Sequence, residues 1–140
     1  MYDPLLISGK IAASGLQAQS MRMRVVSENM ANAESTGKTP GANPYTRKTI
    51  SFSTELDDRL GINLVEFDRI GFDARPYQIK YDPGHAAADA NGYVKTPNVN
   101  MLVEIADMRE TARSYEANLQ VMKQARELIS MTIDMLRSGG

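Results

Sequence analysis

Histidine occurs once in this chain, at position 85. Asp82, Asp89 and Asp73 lie within a dozen residues of it, and an imidazole with carboxylates is a donor set that can hold a divalent metal. One histidine cannot supply a His pair, and cysteine is absent, which removes thiolate ligation, thiol catalysis and disulfides. The run Asp82-Pro83-Gly84-His85 is also turn chemistry, so His85 reads as a turn residue. Asp89-Ala90-Asn91-Gly92 has the acidic start of a calcium loop. Setting Gly92 at that loop's glycine puts Ala87 at the first ligand and Asn98 where a bidentate Glu is required. Calcium therefore lacks two ligands. Asp57-Asp58 could pair as acid and base, but Arg59 follows at once and the three read as a solvated charge cluster. No phosphate loop, nucleophile elbow or zinc-protease helix is present. The expectation is a protein with no catalytic residues, no metal and no cofactor.

The elements around these residues are more informative. The chain has 140 residues and a formal charge of −1. No Lys/Arg cluster exceeds a pair, so a phosphate-binding stripe for nucleic acid is excluded. No apolar stretch approaches the ~20 residues that cross a bilayer. Met-Tyr-Asp-Pro lacks a basic n-region, and the expectation is a chain without a cleaved secretory signal.

Composition divides the chain into three zones. All nine Met lie in residues 1–30 or 101–135, whereas most Phe, Tyr and Pro lie between Pro40 and Pro97. In the last zone Met101, Ile105, Met108, Ala112, Tyr115, Leu119, Met122, Ile129, Ile133 and Leu136 alternate steps of four and three, with Arg126 at the one position that breaks the row. This is a heptad seam on a helix of about 54 Å, at 1.5 Å per residue. Asn98 or Asn100 can cap it, and Glu104, Asp107 and Glu110 suit its start as Lys123, Arg126 and Arg137 suit its end. In the first zone Asp3 and Pro4 start a helix. Leu5, Gly9, Ala12, Leu16, Gln19, Met23, Val26, Met30 and Ala33 follow the same rhythm, beside a second row of Ile7, Ile11, Ser14, Ala18, Met21 and Val25. Gly9 and Gly15 each cost about 1 kcal/mol relative to Ala. This helix is expected to fold weakly alone and to be completed by packing. Between the zones, residues 35–44 read as a loop, 46–53, 62–67 and 77–81 as short strands, and Asp82-Pro83-Gly84 and Asn91-Gly92 as turns. The fold class expected is mainly α with a small, irregular β-rich insert: residues 1–37 and 98–140 helical, 38–97 the insert.

Several runs match a known pattern. Ser14-Gly15-Leu16-Gln17-Ala18-Gln19-Ser20-Met21-Arg22-Met23, continuing through Ser27-Glu28-Asn29-Met30-Ala31-Asn32-Ala33-Glu34-Ser35-Thr36-Gly37, resembles the N-terminal signature of the bacterial flagellar axial rod and hook family. Thr39-Pro40-Gly41, Pro44-Tyr45, Tyr81-Asp82-Pro83-Gly84-His85, Asn91-Gly92-Tyr93-Val94, Pro97-Asn98-Val99-Asn100 and Arg113-Ser114-Tyr115-Glu116-Ala117-Asn118 extend the match over nearly the whole chain. Lys38 stands where hook and distal-rod members carry an aromatic, which favours the proximal basal-body rod subtype. Ala86-Ala87 stand where Pro and Asp are expected.

The resemblance implies that the two terminal helices pair as an antiparallel coiled coil, the inner D0-like domain. Leu5, Ala12, Leu16, Met23, Val26 and Met30 would then meet Ile105, Met108, Ala112, Tyr115, Leu119, Met122, Ile129, Ile133 and Leu136. Its motif residues map to Asn29, Asn32, Ser35, Thr36, Gly37, Asn98, Asn100, Arg113, Tyr115, Glu116 and Asn118. It implies a structural subunit of the flagellar basal-body rod, transmitting torque from motor to hook and filament. Such subunits leave through the type III export apparatus without a cleaved signal and assemble in the periplasm. Their partners are other rod subunits, the base ring, the export apparatus and the distal rod. The alternatives are another rod or hook-basal-body component, a coiled-coil adaptor, and a metal-dependent hydrolase centred on His85.

Overall fold

The computed structural model describes residues 3–140; the first two residues of the N-terminal helical zone lie outside them. The element order is α1 (Pro4–Ala31), β1 (Lys48–Asp57), β2 (Ile62–Phe72), β3 (Gln78–Tyr81), β4 (Tyr93–Thr96) and α2 (Met101–Ser138). The protein is therefore mainly helical with a β insert, as the composition predicts. β1 pairs with β2 and β3 with β4, giving two separate two-stranded sheets.

Both helices begin where their caps dictate. The Leu5 amide donates to Asp3 Oδ1 at 2.9 Å, so Asp3 is the N-cap and Pro4 the first helical residue. At α2 the choice between two asparagines falls on Asn100, whose Oδ1 accepts from the Leu102 amide at 3.1 Å. After α1 the chain turns within a few residues. Asn32 donates to the Glu28 carbonyl at 2.8 Å, and the Ser35 amide and hydroxyl both bond the Asn32 carbonyl. An unpaired turn of helix is thereby satisfied.

The chain forms two compact units, residues 1–22, 52–68 and 110–140 in one, and residues 23–51 and 69–109 in the other. In the first, the strands β1 and β2 meet at a tip where the Leu60 and Gly61 amides bond the Asp57 carbonyl, with Gly61 at φ 65°. Asp57 also accepts from the Arg59 amide and pairs with Lys10. The Asp57-Asp58-Arg59 cluster is this turn. β1 and β2, with 10 and 11 residues, are longer than the short strands expected. In the second unit β3 and β4 pair antiparallel with Gln78 opposite Thr96 and Tyr81 opposite Tyr93. The two tyrosine rings meet edge to face at 5.3 Å. β4 was not evident from periodicity, because four residues carry only two repeats. Its Val94 is nonetheless buried, and the Asn91-Gly92 turn that precedes it was legible.

Two glycines differ sharply in their surroundings. A Cβ on Gly37 would lie 2.7 Å from both the Cβ and the carbonyl oxygen of Ala42, whereas nothing lies within 4 Å of one on Gly9. Gly37→Ala should therefore destabilise the chain by about 1–3 kcal/mol, the usual range for overpacking. Gly9→Ala should stabilise α1 by about 0.5–1 kcal/mol through helix propensity. Urea unfolding of both variants checks the opposite signs.

Candidate functional site

The second unit is organised around four residues, Tyr45 to Lys48, held by side chains from both ends of the chain. Asn29, near the end of α1, is 1% exposed. Its Nδ2 donates to the Lys48 carbonyl and its Oδ1 accepts from the Lys48 amide, each at 2.9 Å. The same oxygen accepts from the Tyr45 hydroxyl at 2.7 Å. One side-chain amide thus replaces a strand partner for the first residue of β1. Asn98 does the same for the preceding residue: its Oδ1 accepts from the Arg47 amide at 2.8 Å, and its Nδ2 donates to the carbonyls of Arg75 at 2.9 Å and Asp73 at 3.2 Å. Two asparagines grip adjacent peptides.

Charge reinforces this grip. The Arg47 guanidinium bonds Glu104, which is fully buried, and lies 3.4 Å from Asp73 and 3.7 Å from Asp107. Glu104 Oε2 has no hydrogen-bond partner among the described residues. A carboxylate in this position is tolerable only because Arg47 neutralises it. The sequence places Glu104 as an acid favouring the start of α2, with no sign that it is covered. Asp73 accepts from the Arg75 side chain and backbone, and these bonds, with Arg47 adding its charge, hold its carboxyl at a pKa of about 2. Lys48 bonds Glu28 at 2.7 Å and lowers its pKa. Burial, then the charges of Glu28 and Glu104, raise that of Tyr45.

In the first unit α1 and α2 approach closely. A Cβ on Gly15 would stand 2.7 Å from Asn118 Nδ2. Nearer the start of α1, Leu5, Leu6, Gly9 and Lys10 share a cleft of about 240 Å³ with Met122, Ala125, Arg126 and Ile129. The positions that pair rise along α1 as they fall along α2.

Burial along α2 follows Glu104, Met108, Thr111, Tyr115, Asn118, Met122, Ala125 and Ile129, which alternates four and three. This row shares Met108, Tyr115, Met122 and Ile129 with the expected seam, while its second column lies one residue earlier. Ile105 and Leu119 are half-buried beside it, but Ala112, Arg126, Ile133 and Leu136 are exposed. Arg126 therefore interrupts nothing; the column it seemed to break runs instead through Thr111, Asn118 and Ala125. On α1, Ala12 and Val26 are buried and Leu5, Leu16, Met23 and Met30 half-buried.

The motif residues scatter by role. Asn29 and Asn98 form the grip, Asn32 and Ser35 close α1, and Asn100 caps α2. Gly37 permits the contact with Ala42, and Thr36 lines a cleft with His85, Asp82 and β3–β4. Asn118 meets Gly15, Tyr115 is half-buried, and Arg113 and Glu116 are exposed. Among the described residues two of the three acids near His85 are engaged elsewhere. Asp73 binds Arg75, and Asp89 Oδ1 accepts from the Asn91 and Tyr93 amides, while Asp82 lines the cleft with His85 and bonds Gly92 and His85 through its backbone. His85 Nδ1 accepts from the Ala87 amide at 3.0 Å, so the imidazole closes its own turn.

Arg47, Lys48 and Thr111 were not singled out from sequence, and Tyr45, Asp73 and Glu104 were named there only in other connections. The one available signal was the seven-residue spacing of Glu104, Thr111, Asn118 and Ala125, which a hydrophobic pattern does not show because three of the four are polar.

Asn29→Ala and Asn98→Ala should each lower the unfolding free energy by about 1–3 kcal/mol, since each leaves part-buried backbone groups unpaired. The urea midpoint is the measurement, with an unchanged slope. Because the folded-state pKa of Asp73 is depressed from 3.8 to about 2, its stabilisation is complete above pH 3.8 and is lost as pH falls through 2. Asp73→Asn should be less stable at pH 6 and should lose less stability between pH 4 and pH 2, read by thermal melts across that window.

The sequence matches known protein families at both ends. Residues 10–37 match the family described as flagella basal body rod protein, and residues 90–135 match the C-terminal domain of the flagellar basal body rod FlgEFG proteins. The chain is 57% identical to the flagellar basal-body rod protein FlgC of Agrobacterium fabrum, over 97% of this chain and 98% of that one. It is 34% identical to FlgC of Borreliella burgdorferi, over 95% and 98%, and 36% identical to FlgC of Salmonella typhimurium, over 89% and 92%.

Proposed function

The chain belongs to the flagellar basal-body rod protein family, and from that membership we propose how its geometry serves a rod. It is a structural component of the flagellar basal body and not an enzyme. Within the rod it forms part of the shaft that carries torque towards hook and filament, in contact with other rod subunits, the base ring, the export apparatus and the distal rod. The shaft segment crosses the periplasm, and the subunit reaches it through the type III export apparatus. Residues 1–37 and 98–140 act as a D0-like helix pair, and residues 38–97 as the insert between them.

The observation that supports this reading best is the meeting of α1 and α2 in antiparallel order, at Gly15 with Asn118 and along the cleft from Leu5 to Ile129. Helix segments paired in this way within the first unit form an antiparallel coiled coil stiff along its axis. Leu5, Leu16, Met23 and Met30 are half-buried in one chain, as are Met108, Tyr115, Leu119 and Met122. Each large side chain contributes roughly 1.5–3 kcal/mol only when fully covered. Leu128, Met131, Ile133, Met135 and Leu136 are about half exposed or more. Neighbouring subunits in a heterologous, helical array complete that burial, and methionine suits contacts with unlike neighbours.

Leu119→Asp should abolish incorporation into the rod while leaving synthesis intact. Immunogold labelling of isolated hook-basal bodies and a swimming assay give the answer: normal basal bodies and normal motility in that strain would defeat the helix-pairing account.

A further inference from the structure

An apolar seam made of interchangeable methionines and leucines specifies that two helices pair but leaves their axial register loose, because a slip of seven residues presents nearly the same surface. In α2 the column Met108, Tyr115, Met122, Ile129 has this character. The neighbouring column does not: Glu104, Thr111, Asn118 and Ala125 change chemistry at every step, and Glu104 and Thr111 are fully buried. At Asn118 the opposing helix offers a glycine, and the side-chain amide fills the space a Cβ would occupy, with Nδ2 at 2.7 Å and Cγ and Oδ1 at 2.9 Å from that point. Gly15 carries a helix-propensity penalty that nothing else in α1 explains. A slip of one heptad would set Asn118 against Ser8 or Arg22, both of which carry the Cβ that the contact excludes.

We propose that Gly15 and Asn118 form a register key, a knob and its hole, which selects one axial alignment of α1 on α2 and so determines where the exposed end of α2 is presented to the next subunit. The inference rests on the helix-pairing reading above and adds to it the residues that decide alignment.

The chain contains no cysteine, so introduced pairs can be oxidised without background. Gly9→Cys with Ala125→Cys reports the observed alignment, since both positions line one cleft. Gly9→Cys with Thr132→Cys, and Ala12→Cys with Tyr115→Cys, report a slip of seven in either direction. The full chain is tested both isolated and in basal bodies, with cross-links identified by mass spectrometry. In the native background the first pair should cross-link at least five-fold more than the other two. Adding Gly15→Ala, which favours helix, should cut the native cross-link at least five-fold and raise a slipped one. Adding Asn118→Ala to that variant removes the obstructing amide and should restore the native product.

If Gly15→Ala keeps the native cross-link alone, or Asn118→Ala fails to restore it, the key is overturned while helix pairing stands. If no pair cross-links in either preparation of the native background, the pairing itself is wrong.

Discussion

Adjacent peptides at Arg47 and Lys48 are held by two asparagines, Asn98 and Asn29, from opposite ends of the chain. This constraint supports most of the second unit. A strand that begins beside a helix has backbone groups with no ladder partner, and buried peptide groups must be paired. An asparagine side chain carries the same donor and acceptor as a peptide, so it can stand in for a missing strand. Aspartate could accept both amides but could not donate to the Lys48, Arg75 or Asp73 carbonyls. The grip brings Arg47 to Glu104, and that pairing makes a fully buried acid at the start of α2 tolerable. Removing either asparagine would loosen the ion pair as well as the strand.

A shaft of the kind proposed above must resist twisting and must be assembled from parts that recognise one another. The two demands fall on different side chains. Apolar rows with many methionines supply adaptable contact area, whereas the polar and small residues between them impose geometry. Burying Glu104, Thr111 and Asn118 adds little stability compared with an apolar column and can reduce it. In the register key proposed above, Asn118 contributes discrimination, because it faces a glycine. The exposed apolar end of α2, from Leu128 to Leu136, is a surface that a single chain leaves uncovered.

Sequence periodicity located both helices to within a few residues, identified the cap Asp3 and narrowed the cap of α2 to Asn98 or Asn100, because these depend on neighbours within one turn. Turns at Asp82-Pro83-Gly84 and Asn91-Gly92 were legible for the same reason, and the motif runs pointed to the family. The misplacement of the second column on α2 has a definite cause. Scoring by hydrophobicity selected Ile105, Ala112, Leu119 and Ile133 over Glu104, Thr111, Asn118 and Ala125. Close approach of helices favours small or hydrogen-bonding side chains that a hydrophobic count passes over. Arg126, read as an interruption, was the visible sign of that error.

Local chemistry thus sufficed for element type, helix ends, turns and the absence of a recognisable catalytic motif, since each arises from residues a few positions apart. Which face of α2 is covered, which acid is buried, and which asparagine caps a helix and which grips a strand were decided only by tertiary structure. Asn98 and Asn100 are two residues apart with the same side chain, yet one caps α2 and the other binds residues 47, 73 and 75. The difference lies in what the fold brings within hydrogen-bond reach, and partners 23, 25 and 51 positions away leave no trace in local spacing.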